Sequence, residues 1–512
     1  MGLRFACSAH PYSIATLHEE FTVSHPALAK LKDAALLKTG AYIDGAWIGA
    51  DSKATFAVVD PATRAEIAQV ADLSETETER AIAAADAALP AWRAKTGKER
   101  AAILRAWFDL VIAHQDDLAA IMTAEQGKPL AEAKGEVVYG ASFLEWFAEE
   151  AKRVCGDVLD SPQPGKRMFT IKQPIGVCAS ITPWNFPIAM ITRKVAPAIA
   201  AGCTIVVKPA EQTPLSALAL AELADRAGIP KGVFNVITAD SDNSIKVGKV
   251  LCASPRVRHM SFTGSTPVGR ILMQQCAPTV KKMALELGGH APFIVFDDAD
   301  LGAAIEGAIA SKYRNAGQTC VCTNRFYVQE KLYDAFVEKL AEAVKKLRVG
   351  NGFEPGVNQG PLIDDAAVKK VSEHIADAQS KGARVATGGK VISGHFVEPT
   401  VLAGATKNML IAQEETFGPV AAVFKFKDEA EVVQLANDTD FGLASYFYSR
   451  DIGRVWRVAE ALDYGMVGIN TGIISNEVAP FGGVKQSGLG REGSKYGMDE
   501  YLEIKYLCMA GM

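Results

Sequence analysis

Asn315-Ala-Gly-Gln-Thr-Cys320-Val-Cys322 is the stretch whose residue types best fit chemistry. A cysteine in a small, polar, glycine-containing turn is poorly placed as a structural thiol and well placed as a nucleophile. Such a turn leaves room for a substrate, and its amides and side-chain donors can hold an oxyanion. The attacking species is the thiolate, so Cys320 needs a base or a positive field nearby. Glu286, in Leu285-Glu286-Leu287-Gly288-Gly289, is a candidate base. Between a strand end and two glycines it has freedom to swing, as a base serving two steps should. The plainer reading is a core-edge carboxylate or a helix cap.

Further candidates lie upstream. In Pro183-Trp184-Asn185-Phe186-Pro187 two prolines fix the backbone around one amide, and Asn185 either donates to an oxyanion or is a turn residue. Arg193 and Arg314 lie close in sequence to Asn185 and Cys320. Two guanidinium groups near the chemistry imply an anionic substrate, held bidentately, unless they are ordinary surface ion pairs. Gly264-Ser265-Thr266-Pro267-Val268-Gly269 is either a pyrophosphate site at a helix N-terminus or a tight turn. Lys208 and Glu211 either hold an adenosine ribose or form a solvated pair. As a ribose ligand, Glu211 would repel a 2′-phosphate and favour NAD over NADP. Cys322 is either a small apolar residue or the partner of Cys320 in a strained, reducible disulfide, a redox switch. Gly488-Leu-Gly490-Arg-Glu-Gly493 matches a dinucleotide fingerprint only literally: no apolar strand enters it and too little chain follows, so it reads as a flexible C-terminal loop.

The elements that must position these residues follow from the pattern. From Tyr42 to Val70 the chain alternates around turns, giving short strands and hairpins. From Ser74 to Glu150 it is helical, with breaks expected at Pro90 and Gly127. From Ile171 it becomes α/β. Strands are expected at 175–181, 203–207 and 258–262, the last two followed by helices that open with Thr-Pro. Strand, turn and helix, repeated, describe a parallel sheet with ligands at the strand C-termini. A second α/β segment follows Gly289, with strands at 293–296 and 325–328, and a helix over 301–314 that delivers the chain to Cys320. Residues 501–507 alternate like a strand in need of a partner sheet.

Composition bounds the rest. A chain of 512 residues needs two or three domains. The balance of 54 basic against 59 acidic residues, with no basic run, argues against nucleic-acid and anionic-membrane partners. No apolar stretch is long enough for a transmembrane helix. The nine scattered cysteines do not form a disulfide framework and point to a reducing compartment, hence a cytoplasmic location. No His/Cys cluster makes a metal site. Met1 to about Ala34 reads as an N-terminal arm rather than a transit peptide.

Taken together these residues resemble the aldehyde dehydrogenase superfamily, over nearly the whole chain from about Ala41. Asn315-x-Gly317-Gln318-x-Cys320 is similar to its nucleophile motif, Glu286-Leu-Gly-Gly to its glutamate motif, and Pro183-Trp-Asn185-Phe-Pro to its oxyanion motif. Lys208-Pro-Ala-Glu211, Phe262-Thr-Gly264-Ser265 and Glu415-Thr-Phe417-Gly-Pro resemble its cofactor motifs, to which Trp184 and Leu287 would contribute. Met190-Ile-Thr-Arg193-Lys, Tyr313-Arg314 and Gly472-Ile-Ile-Ser475-Asn-Glu-Val-Ala-Pro480 resemble the succinate-semialdehyde dehydrogenases. There Arg193, Arg314 and Ser475 would hold the substrate carboxylate. Bacterial NADP-preferring members tend to carry a small residue at the position of Glu211, which leans the cofactor to NAD and leaves NADP open.

The resemblance implies an α/β fold with two Rossmann-like domains: NAD(P)-binding over 36–151 and 173–288, catalytic over 289–487. A β oligomerisation arm would comprise 152–172 and 488–512, after an N-terminal extension, 1–35. It implies a homodimer or homotetramer and oxidation of succinic semialdehyde through a thioester, as in γ-aminobutyrate degradation. The rivals are glutarate-semialdehyde oxidation, a CoA-acylating enzyme, against which Glu286 argues, and a binding or structural protein of the same fold.

Overall fold

The computed structural model describes residues 25–511, so most of the expected N-terminal arm, and Cys7, lie outside the described residues. What is described of the arm contains two single 3-10 turns, Leu28–Lys30 and Ala34–Leu36.

Two large sheets organise the chain. The first has eight strands, in the order Ala46–Ile48, Ala41–Ile43, Phe234–Val236, Thr204–Lys208, Val177–Ile181, Val257–Thr263, Lys282–Glu286, Gly488–Leu489. Its five central strands are parallel, and short antiparallel strands close both edges. The chain moves outward from Val177–Ile181 in one direction and then, from Val257, in the other. That reversal opens a crevice at the C-terminal ends of the two neighbouring strands. Both faces of this sheet are covered: Cys178, Ile205 and Val207 join one apolar cluster, and Val177, Ala179 and Val206 another. Continuous apolar strands such as Thr-Ile-Val-Val are the consequence.

The second sheet has seven strands, in the order Arg384–Thr387, Thr400–Ala403, Val420–Phe426, Thr323–Gln329, Ala291–Val295, Ala444–Tyr448, Met466–Ile469. Alternation again sorts the side chains. Phe293, Val295, Phe326 and Val328 face one core, whereas Ile294 and Tyr327 face the other. In a third sheet, Leu502–Ala510 pairs antiparallel with Lys166–Pro174 over nine registered positions. This is the partner the C-terminal alternation requires.

Three expectations need correction. The helix Glu75–Arg93 runs through Pro90 and stops at Ala94. Pro90 is on the exposed side in the last turn, so its missing N–H costs a single bond. Gly127 does end its helix, with φ +90°. The helix after Val257–Thr263 is capped by Ser265, placing Thr266 and Pro267 inside its first turn. The Gly488–Gly493 segment is not a free loop: Gly488–Leu489 is an edge strand on Leu285 and Glu286, a Cβ on Gly488 would overlap the Leu285 carbonyl, and Glu492 bridges to Phe481. No helix among the described residues is long and apolar enough to cross a membrane.

Candidate active site

The helix Leu301–Tyr313, N-capped by the Asp300 carboxylate on the Ala303 N–H, delivers the chain to Arg314. Asn315, Ala316 and Gly317 then all take left-handed backbone angles, φ +53°, +54° and +73°. Gly317 adopts this freely, but Asn315 and Ala316 cost of order 1–3 kcal/mol each, so the surroundings must hold them. Glu132 Oε2 accepts the Asn315 N–H at 2.9 Å. The Gln318 side chain donates to the Asn315 carbonyl at 3.2 Å and accepts the Ile363 N–H at 2.9 Å. Gly317 packs its bare backbone on the Gly418 carbonyl, where any Cβ would overlap. This strained turn presents Cys320, half-buried, at the wall of a cavity of about 290 Å³.

Three strand ends of the first sheet feed the same region. Ile181 leads to Trp184 and Asn185, Thr263 to Gly264 and Ser265, and Glu286 to Leu287 and Gly288. Gly289 lies so close to the Cys320 carbonyl that a Cβ would overlap it, so the glutamate segment and the nucleophile turn touch through backbone. Asn185 Nδ2 donates to the Gln318 carbonyl at 3.1 Å, and Asn315 Nδ2 donates to the Asn185 carbonyl at 3.0 Å. One Asn185 amide hydrogen therefore remains for the cavity.

Arg193, Arg314, Ser475, Glu415 and Phe417 complete the expected lining. The Ser475 loop meets the Cys320 helix where Gly472 packs against Gly307; neither position has room for a Cβ. The Phe417 ring stands edge-on to Trp184 at 5.6 Å. Glu415 accepts the Gly289 N–H at 3.2 Å, and burial raises its carboxyl to about 7.

Four expected residues lie outside the cavity lining. Lys208 and Glu211 form a 3.4 Å pair at the adjacent strand end, and burial pulls the Lys208 ammonium below the usual lysine range. Glu286 is 2% exposed, the last residue of its strand. Its backbone is fixed by Gly488 and by the Gly264 N–H, so only the side chain has the freedom expected of it. Burial first, then the charge of Glu492, raises its carboxyl well above the ordinary range. Cys322 is buried, and its thiol donates to the Lys312 carbonyl at 3.2 Å.

Cys320 is pushed up to about 12, mainly by burial. Glu286 and Glu415 add to the shift, and Arg193 and Arg314 oppose it. The resting group is the thiol.

Sequence reasoning missed several residues. Phe186, Tyr139, Met190, Lys370 and Phe481 line the cavity, and Glu492 sits behind it. Glu492 ion-pairs with both Arg193 and Lys194, and the Arg193 guanidinium lies 4.2 Å from the Phe481 ring. Phe481 and Glu492 are paired through backbone hydrogen bonds, which no sequence signal announces. Phe186, between Pro183 and Pro187, was findable as an aromatic beside Asn185.

The residues at the crevice suit a nicotinamide dinucleotide. Gly264 and Ser265 line the cavity at the start of a helix whose N-cap position Ser265 occupies, and Gly264 sits where a Cβ would overlap the Phe262 ring. Trp184, Leu287, Phe417 and Glu415 offer apolar contact and one hydroxyl acceptor beside Cys320.

Residues 47–507 match the model of the aldehyde dehydrogenase family. The glutarate-semialdehyde dehydrogenase of Pseudomonas aeruginosa is 66% identical, over 94% of this chain and 100% of its own length. An Escherichia coli protein named as an NADP(+) succinate-semialdehyde dehydrogenase is 62% identical, over 94% and 99%. The crystal structure of succinate-semialdehyde dehydrogenase from Burkholderia pseudomallei is 67% identical and superposes with a TM-score of 0.93, over 94% and 100%. Matched by the family model over most of its length and 66% identical to a relative covered end to end, the chain belongs to the aldehyde dehydrogenase family.

Proposed function

We propose that the enzyme oxidises the semialdehyde of a short dicarboxylic acid, succinic semialdehyde in our reading, to the diacid with NAD or NADP. The observation that carries this is the presence of two arginines, Arg193 and Arg314, in the lining that also contains Cys320. A neutral aldehyde would not need them. With Ser475 they can take a carboxylate while the aldehyde carbon lies at the thiol.

In this mechanism the Cys320 thiol loses its proton and attacks the aldehyde carbon, forming a thiohemiacetal. The free Asn185 amide hydrogen and a backbone N–H of the turn hold the developing oxyanion. A nicotinamide held with its ribose at Glu415 and its ring near Phe417 and Trp184 would supply the acceptor for the hydride lost from the thiohemiacetal carbon, which leaves Cys320 as a thioester. Glu286 then takes a proton from water, which attacks the thioester, freeing the acid and regenerating the thiol.

NAD is our preferred cofactor, because Glu211 would sit against a 2′-phosphate. We place the protein in the cytoplasm. It would assemble as a homodimer or homotetramer through the arm of Lys166–Pro174 and Leu502–Ala510, where Ile504, Tyr506 and Met509 are exposed. The first sheet is read as the cofactor domain and the second as the catalytic domain.

Glutaric semialdehyde is the second reading, supported by the name of the 66% identical relative. Side-by-side kcat/KM values for succinic semialdehyde, glutaric semialdehyde and a neutral aldehyde of similar length, each with NAD and NADP, test both. Comparable kcat/KM for the neutral aldehyde would refute the carboxylate site.

A further inference from the structure

The Gly127–Pro129 segment enters the long helix Leu130–Glu150 and carries Lys128, a buried ammonium outside the cavity. Its Nζ bonds the buried Glu136 carboxylate and donates to the Asn185 carbonyl at 2.8 Å. The same nitrogen lies 4.1 Å from the centre of the Phe186 ring, on which the Arg314 guanidinium also rests, at 5.1 Å. Glu136 Oε1 accepts the N–H groups of Ile188 and Ala189, at 3.0 and 3.3 Å, and so fixes the start of the helix that carries Arg193. One turn earlier on the same helix face, Glu132 accepts the Asn315 N–H.

Three side chains from one helix entry thus grip two separate loops. Glu136 and Lys128 hold the Asn185 loop from behind, and Glu132 holds the first left-handed residue of the nucleophile turn. The two loops also bond one another through Asn185 and Asn315. A buried ion pair is a poor device for stability alone, since apolar residues of similar volume are often as good or better. Its value is directional: each oxygen and each ammonium hydrogen specifies where a loop must lie.

Resting on the roles given above to Asn185 and Cys320, we propose that Lys128, Glu132 and Glu136 are positioning residues that set the Asn185 amide and the Asn315–Cys320 turn at the separation the oxyanion site needs. None of the three lines the cavity, and they act only through the loops they hold.

The test uses two designs. Lys128→Met with Glu136→Gln removes both charges together, leaving no unpaired buried ion, and the glutamine oxygen can still accept from Ile188 and Ala189. Glu132→Ala removes the Asn315 acceptor, and Glu132→Gln keeps a neutral one. Three readouts separate the steps: NADH formation from the semialdehyde, hydrolysis of p-nitrophenyl acetate without nucleotide, and alkylation of Cys320 by iodoacetamide. Ester hydrolysis needs the thiol and the oxyanion donors, whereas alkylation needs the thiol alone.

The double variant and Glu132→Ala are expected to lose about tenfold or more in kcat and in ester hydrolysis, the scale of a small misplacement. Semialdehyde KM and alkylation should stay within about twofold, with Glu132→Gln recovering most of the loss. Unchanged ester hydrolysis, or alkylation and KM deteriorating in step with kcat, would overturn the proposal. So would a Glu132→Gln protein no better than Glu132→Ala. If the double variant fails to fold, the Glu132 pair decides. If the unaltered enzyme does not oxidise semialdehydes, the proposed function fails, while the ester and alkylation comparison still decides the cluster.

Discussion

The carboxylate of Glu492 is ion-paired with the guanidinium of Arg193 in a fully buried position. Because Glu492 also binds Lys194, three charges sit together behind the cavity and sum to one positive charge. Arg193 therefore reaches the substrate region with a partner already in place, whereas Arg314 rests on the Phe186 ring at the cavity wall. Arg314 is the better candidate for direct capture of a carboxylate.

Arg314→Ala should raise KM for succinic semialdehyde about tenfold or more, the cost of a lost charge-assisted bond, and leave KM for a neutral aldehyde nearly unchanged. Arg193→Ala should behave differently, lowering thermal stability as well, because it leaves Glu492 with one counter-ion. Parallel kinetics on the two aldehydes check this. Equal KM effects on both for Arg314→Ala would remove Arg314 from the substrate site.

Asn185→Ala should fold normally and turn over slowly. Its backbone carbonyl, not its side chain, receives Lys128 and Asn315, so the loop keeps those bonds. What is lost is one oxyanion donor and the bond to the Gln318 carbonyl, which still accepts from Asn315 Nδ2, so the expected fall is about 10²–10³ in kcat. A melting temperature near wild type together with that fall is the expected pair of results; wild-type turnover would show that the oxyanion is held elsewhere.

How much of this was legible follows from where the chemistry sits. Asn185, Gly264, Ser265 and Glu286 follow or end parallel strands, and such strands announce themselves as short apolar runs closed by turn residues. Cys320 was legible because Gly317 and the polar residues around it are wrong for a core. The left-handed angles at Asn315 and Ala316 were not, since only Gly317 hints at them. Glu492 was invisible as a partner of Arg193. The two are far apart in sequence, and their meeting depends on the Phe481–Glu492 backbone pairing at the end of the chain. Lys128 and Glu136 fell in an Ala-rich helical region where charges read as a solvated face; only the packing shows that they are inside.

Acidic conditions should slow the enzyme at two steps. Cys320 is pushed up to about 12 by burial, so its thiolate fraction, and the iodoacetamide rate, should rise about tenfold per pH unit across neutrality. Glu286 is also shifted upward, by burial and by Glu492, so it loses its base form as pH falls through that raised value rather than through the ordinary carboxylate range. Glu286→Gln should therefore keep a burst of NADH near one equivalent while steady turnover falls about 10²-fold or more. Rapid-mixing absorbance at several pH values measures both. A variant that loses burst and turnover equally would place Glu286 before the thioester.

Cys322 is two residues from the nucleophile, yet its thiol is engaged elsewhere, donating to the Lys312 carbonyl, and the residue is buried. Burial raises its pKa, with Lys312 opposing, so it is a poor thiolate. To bond Cys320 it would have to give up that carbonyl and strain the turn in which its own N–H bonds Thr319. The geometry favours a packing role over a switch. Cys322→Ala should keep kcat within about twofold. Peroxide should still inactivate it, and dithiothreitol should still restore it, through oxidation of Cys320 alone. If the variant instead becomes irreversibly inactivated where the natural enzyme recovers, Cys322 is the resolving thiol and the turn is more pliable than its hydrogen bonds imply.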